Sequence, residues 1–182
     1  LMILQGLRAA EVSRLKLESL DTATFTWLDV LGKGGRQRRV ILGPQARAAL
    51  MEWDRLRGRA QPAAPLLCLA ESSHPQLMLS TFEPLSVRTI ERLTDRHLSA
   101  CGLKRPGRSA HALRHTYAVL AALGGAKREA LRDSMGHSKA GTTDIYLAAA
   151  GRYQDNPATA AATFLSMRAR GEEEQRQRGD HR

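Results

Sequence analysis

Residues 133–148 read DSMGHSKAGTTDIYLA, in which a tyrosine, Tyr146, follows His137 by nine positions. Gly136 closes the pattern AKREALRDSM, because glycine takes the left-handed conformation that ends helices, and TTDIYLAAA begins a new apolar pattern after the turn HSKAG. The stretch predicts helix, turn, helix. Standing alone, a tyrosine in such a pattern reads as a core aromatic whose hydroxyl reaches a partner. Whether it is instead a nucleophile is decided by the rest of the chain.

Working outward, SAHALRHTYAVLAAL from Ser109 predicts the helix before this pair, and NPATAAATFLSMRAR predicts a terminal helix starting near Pro157. Ser86 is placed to cap SVRTIERLTDRHLSAC, which ends at Gly102, and Pro44 opens PQARAALMEWDRLRGR, which closes near Gly58. Residues 1–18 carry Leu4, Leu7, Ala10, Val12, Leu15 and Leu17 at helical spacing, so one helix is expected there. TFTWLDVL and RQRRVIL are β-rich, and the GKGG between them is a hairpin signal, while PLLCLA reads as a further short strand. The expected fold is α+β and mostly α-helical, with a small three-stranded antiparallel sheet. Residues 71–84 read as an irregular loop, longer than needed to join strand to helix.

The chain of 182 residues, 42% hydrophobic and 25% charged, suffices for one buried core. Its 28 Lys and Arg against 18 Asp and Glu leave a formal charge of +10. The tail 170–182 has four Arg, three Glu and one Asp, so the excess lies in residues 1–169. This predicts one domain over 1–169 and a polar, disordered tail over 170–182. A positive excess in the folded part favours a polyanion, nucleic acid before an acidic membrane surface, through counterion release that is blind to base sequence. Cys68 and Cys101 form neither a CxxC pair nor a disulfide framework, so two buried thiols in a reducing, cytoplasmic setting are expected. No apolar run has the length of a membrane span, and no export signal opens the chain. Leu1 stands where a methionine would, and the chain enters a helical pattern at once, the expectation for a piece of a longer protein.

In HALRH, His111, Arg114 and His115 share one helix face at i, i+3 and i+4. The zinc motif HExxH needs a glutamate where Ala112 stands, and a phosphate-binding loop needs Ser or Thr after the lysine where Gly34 stands. No metal, nucleotide or other cofactor is therefore expected. Taken singly, Arg8 and Glu11 in GLRAAE make a surface ion pair, Lys33 an exposed turn lysine among glycines, and HALRH a half-exposed polar face.

The ordered set GLRxxE, GKG hairpin, HxLRH, GHS and tyrosine is more specific than its parts. From about Gly6 to Tyr146 the chain resembles the catalytic domain of tyrosine recombinases, the phage-integrase and Xer-like enzymes that cut and rejoin DNA at defined sites. The resemblance implies a catalytic set of Tyr146, Arg8, Lys33, His111, Arg114 and His137, with Glu11 supporting from behind. It implies a 3′-phosphotyrosyl intermediate, double-stranded DNA as partner, a tetrameric synapse, nucleoid association, and an upstream core-binding domain lying before Leu1. Rival readings are a type IB topoisomerase-like relaxing enzyme and a DNA-binding module without catalysis. Two positions depart from the family pattern: Ser134 where an apolar residue is usual, and Gly141 where a serine often starts the tyrosine helix.

The chemistry accounts for the set. Two guanidiniums stay charged and offer planar forks of donors to a phosphate. A tyrosine of ordinary pKa near 10 needs a base, assigned to His111, and the departing 5′ oxygen needs an acid, assigned to Lys33. His137 donates a hydrogen bond to the phosphate, while His115 and Tyr117 give packing and polar support. Tyr153 is the spare tyrosine. Phosphate contacts position a duplex without reading bases, so neither the DNA site nor the choice among integration, excision, dimer resolution and transposition is written in these residues.

Overall fold

The computed structural model describes residues 1–58, 60–68, 83–137 and 141–159. The end of PLLCLA, most of the 71–84 segment, the bulk of the terminal helix and the 170–182 tail lie outside the described residues.

The predicted single helix at the start is two short ones, α1 (Met2–Gln5) and α2 (Ala9–Val12). Gly6 breaks them with φ 66°, and an added Cβ there would overlap the ring of Tyr117. Arg8 follows in extended conformation, and its amide is capped by the Glu11 carboxylate at 2.8 Å. A leucine pattern that runs through the break hid it. The turn is what aims Arg8 and Glu11 at one place.

Strands β1 (Trp27–Leu31) and β2 (Gln37–Ile41) form the predicted hairpin, antiparallel, with Leu28 opposite Val40 and Val30 opposite Arg38. Its turn is a short 3-10 stretch, Lys33–Gly35, closed by the Gly32 amide on the Arg36 carbonyl at 2.7 Å. Gly34 and Gly35 adopt φ 73° and 76°, values that favour glycine. Alternation sends Leu28, Val30 and Val40 into the core, while on the other face Arg39 grips Asp29 at 3.0 Å twice and lies over the Trp27 ring. Among the described residues the sheet has two strands rather than three. Leu20 meets Leu28, Lys16 meets Pro65 and Cys68 meets Pro84 through isolated bridges, so PLLCLA does not extend the sheet within the described residues.

Four of the remaining helices follow the sequence closely: α3 (Pro44–Arg57), α4 (Val87–Ala100), α5 (Ala110–Leu123) and α6 (Arg128–Met135). Ser86 caps α4 by accepting from the Thr89 amide at 3.0 Å. Helix α7 (Gly141–Gln154) carries Tyr146, and residues 157–159 begin a further helical turn. Cys68 is buried as expected, whereas Cys101, at the end of α4, is exposed.

Apolar packing gathers in two groups. One joins Leu7 and Val12 to the hairpin, α3, Leu66 and Ile90; the other joins α5, α6 and α7 through Ala118, Leu131, Met135, Tyr146 and Ala150. The polar cluster described next connects the elements of the first group to those of the second.

Candidate active site

Helix α6 ends where the site begins. The last four carbonyls of a helix have no partner within it, and they sit at the negative end of its dipole. Here Gly136, with φ 61°, turns the chain, its amide bonding to the Asp133 carbonyl at 3.1 Å, and the His137 amide folds back on Arg132 at 3.1 Å. That leaves Ser134 and Met135, and arginines satisfy both. Arg38 Nε donates to the Ser134 carbonyl at 2.9 Å, Arg114 Nη2 to the Met135 carbonyl at 2.7 Å, and Arg8 Nη1 to the same oxygen at 3.4 Å.

The same three cations surround Glu11, whose carboxylate is 2% exposed. Arg38 meets it with both Nη atoms at 3.0 Å, Arg8 Nη1 lies 3.0 Å from Oε1, and Arg114 Nη1 stands 3.8 Å from Oε2. Burial pulls the Glu11 carboxyl upward, but the Arg38 fork, the Arg8 amide and both cations overcome it and hold it below its ordinary value. One anion thus fixes three cations that would otherwise repel one another. Arg114 is 2% exposed and also donates to the Gly6 carbonyl; burial and then the neighbouring Arg8 depress it to about 10, so it is still charged at neutral pH. Arg8 is 39% exposed on its side chain, and its Nε and Nη2 have no protein partner among the described residues. The cluster therefore keeps donors in hand for an anion from outside.

His137 stacks on Tyr146 with ring centroids 5.9 Å apart, and its Nδ1 lies 3.1 Å from Oγ1 of the fully buried Thr143. Burial first, then the charges of Arg114, Arg8 and Arg38, push the imidazole down to about 4, so it is neutral at pH 7. His115 meets the same tyrosine edge-on at 4.9 Å. Tyr146 itself is only 6% exposed, packed among Ala118, Leu131 and Met135, and its hydroxyl takes no hydrogen bond from a described residue. Helix α7 is held against α6 by Arg128 and Asp144, paired at 2.5 and 2.6 Å.

Of the residues singled out in the sequence, Arg8, Glu11, Arg114, His137, His115 and Tyr146 fall in this neighbourhood. His111 lies on the exposed first turn of α5, one turn from Arg114, and it makes no ring or hydrogen-bond contact with Tyr146. The backbone of Lys33 stands at the hairpin turn. Two contributors were missed. Arg38 was legible from strand alternation, because RQRRVIL puts it on the same side as Val40, and an inward arginine calls for a buried anion. Thr143 stands three residues before Tyr146, on its helix face, beneath His137. The departure at Ser134 also finds its reason: its hydroxyl lies 3.0 Å from that of Tyr117, the ring that covers Gly6. Among the described residues no group of three or more His, Cys, Asp or Glu is placed to hold a metal ion.

The phage integrase family profile matches residues 1–152. Tyrosine recombinase XerC of Pelobacter propionicus is 32% identical over 141 residues, covering 78% of this chain and 43% of that protein. The XerC of Pseudomonas entomophila is 35% identical over 143 residues, covering 78% and 43%. The chain thus spans less than half the length of these relatives. Among solved structures, XerA recombinase superposes with a TM-score of 0.67 at 21% identity, covering 92% of this chain and 55% of that one. XerH site-specific recombinase bound to its difH substrate, in a pre-cleavage complex, gives 0.61 at 23% identity, covering 80% and 40%.

Proposed function

The chain belongs to the phage integrase family, and from that premise we propose that it is the catalytic part of a site-specific recombinase that cuts and rejoins double-stranded DNA through Tyr146. The observation that carries the reading is the junction of two charged guanidiniums, one with free donors, and a neutral imidazole stacked on the ring of a tyrosine.

A phosphodiester bound here would meet the free donors of Arg8, with the buried charge of Arg114 behind them. Tyr146 Oη attacks phosphorus and forms the new ester bond, its proton passing to His111, the base that the family pattern assigns, which the bound DNA has to bring to the tyrosine because the two make no contact here. The bond from phosphorus to the 5′ oxygen breaks, its electron pair goes to that oxygen, and Lys33 supplies the proton that completes the 5′ hydroxyl. Charge that builds on the non-bridging oxygens is met by the arginines and by His137. When Nδ1 accepts from the Thr143 hydroxyl, the neutral ring carries its proton on Nε2 and can donate it without adding a charge. A preorganised donor of this kind contributes about 10²–10³ in rate. The 3′-phosphotyrosyl ester keeps the energy of the broken bond, so a 5′ hydroxyl from another strand reverses the step without ATP.

His115, edge-on to the nucleophile, orients its ring. Pairing of two DNA sites by a tetramer completes the reading, and DNA as substrate implies a protein that works at the nucleoid. Incubation with nicked duplexes, from which the cleaved strand end diffuses away, tests it. A covalent protein–DNA adduct resolved on a denaturing gel is expected; DNA binding with no adduct on any duplex would favour a binding module, and relaxation of supercoils without site pairing would favour the topoisomerase-like reading.

A further inference from the structure

The hairpin carrying Lys33 has little to hold its tip. A Cβ at Gly34 or Gly35 would meet nothing within 4 Å, whereas the strands below the turn are anchored in the core by Leu28, Val30 and Val40. Yet a proton donor is useful only when held within hydrogen-bond reach of the departing oxygen. The first core-facing residue of β2 after the turn is Arg38, opposite Val30 in the register. Its guanidinium joins the hairpin to two helices: both Nη atoms bond Glu11 of α2 at 3.0 Å, and Nε donates to the Ser134 carbonyl of α6 at 2.9 Å. A Cβ at Gly32 would stand 3.5 Å from Arg38 Nη1, and one at Gly136 would stand 3.0 Å from it. Gly136 thus leaves room for the fork, while at Gly32, immediately before Lys33, a Cβ would be in ordinary contact with it.

We infer that Arg38 is a positioning residue that ties the turn bearing Lys33 to the Arg8, Glu11 and Arg114 cluster, so that proton donor and phosphate clamp move as one unit. The inference rests on the function proposed above. Arg39, next along the strand, faces the other way and pairs with Asp29, outside this network. It supplies the control for loss of a strand arginine as such.

The test compares two leaving groups. A pool of nicked duplexes of randomised sequence is made with an ordinary phosphodiester, and a second pool with sulfur in place of the bridging 5′ oxygen. On the second pool the same attack breaks a phosphorus–sulfur bond, and the pair leaves as a thiolate, which needs no proton because thiol pKa values lie near 8.5. Arg38→Gln is expected to slow adduct formation on the oxygen pool about 10- to 100-fold more than on the sulfur pool, the range of a weakened general acid. Arg38→Lys, which keeps a cation against Glu11 without the fork and preserves the fold, is expected to show the same selective loss in smaller measure, and Arg39→Gln to leave the ratio of the two rates at its wild-type value. Equal losses on both pools in Arg38→Gln and Arg38→Lys, or no loss in either, would overturn the coupling. No adduct from the wild-type chain on either pool would instead overturn the proposed function.

Discussion

Replacing Glu11 by glutamine keeps the shape of the side chain and removes the charge on which three arginines converge. Each carboxylate oxygen accepts from two donors: Oε1 from Nη1 of Arg8 and of Arg38, Oε2 from the Arg8 amide and Arg38 Nη2, all between 2.8 and 3.0 Å. Whichever way the amide turns, its NH₂ faces two donors, so two bonds are lost, and buried Arg114 and partly buried Arg38 stand without an anion. Removing one partner of a buried pair costs about 3–5 kcal/mol, because the other charge is left uncompensated. For a domain of this size each kcal/mol moves the melting temperature by about 2–4 °C, so Glu11→Gln is expected to melt about 6–20 °C lower at pH 7. Denaturant titration and calorimetry of wild type, Glu11→Gln, Arg38→Met and the double variant give the measurement. The double variant should lie closer to wild type than the sum of the singles by about 0.5–3 kcal/mol, the range for contacting residues. A loss below about 1 kcal/mol in Glu11→Gln, the scale of an exposed pair, would refute the argument that Glu11 organises the cluster.

Two further outcomes follow from the geometry. His137 is pushed down to about 4, so between about pH 6.5 and 4 the unfolded chain binds the proton first; its contribution is full above about 6.5 and is lost as pH falls toward 4. Allowing for solvent screening this amounts to about 1–2 kcal/mol, and His137→Phe, which keeps the stacked ring, should flatten that part of the stability profile; an unchanged acid slope would contradict it. Gly6→Ala forces a Cβ into the Tyr117 ring at positive φ and should cost about 2–5 kcal/mol. In a Tyr117→Ala background the same change should cost only the backbone share of about 1–2 kcal/mol, read by denaturant midpoints.

Much of the site was legible because its residues sit at punctuation. Gly6 before Arg8 and Gly136 before His137 mark the turns that aim those side chains, Gly32 marks the hairpin turn that carries the Lys33 backbone, and turn chemistry is local. The helix after Ser109 was legible from periodicity, and it brought Arg114 and His115 to one face. What the sequence hid is tertiary. The apolar spacing of residues 1–18 fits one helix, and only the contact of Tyr117 with Gly6 shows why it must break. Arg38 looks like one more charge in a basic strand until its face is known. For Tyr146, core aromatic and nucleophile are not exclusive: the ring shares a core cluster with Ala118 and Met135 while His115 and His137 border it, so its packing fixes its place in the candidate site. The exposed position of His111 was beyond pattern reading, since helix phase says which residues share a face and not how far that face is covered.

Attack by Tyr146, as proposed, leaves the protein covalently bound to DNA. Nicked duplexes incubated with the chain, digested with protease and nuclease and sequenced by mass spectrometry, test it directly. The expected product is a nucleotide joined through its 3′ phosphate to the peptide containing Tyr146, with no joined peptide in Tyr146→Phe. A linkage at Tyr153 or Tyr117, or an adduct that persists in Tyr146→Phe, would contradict it.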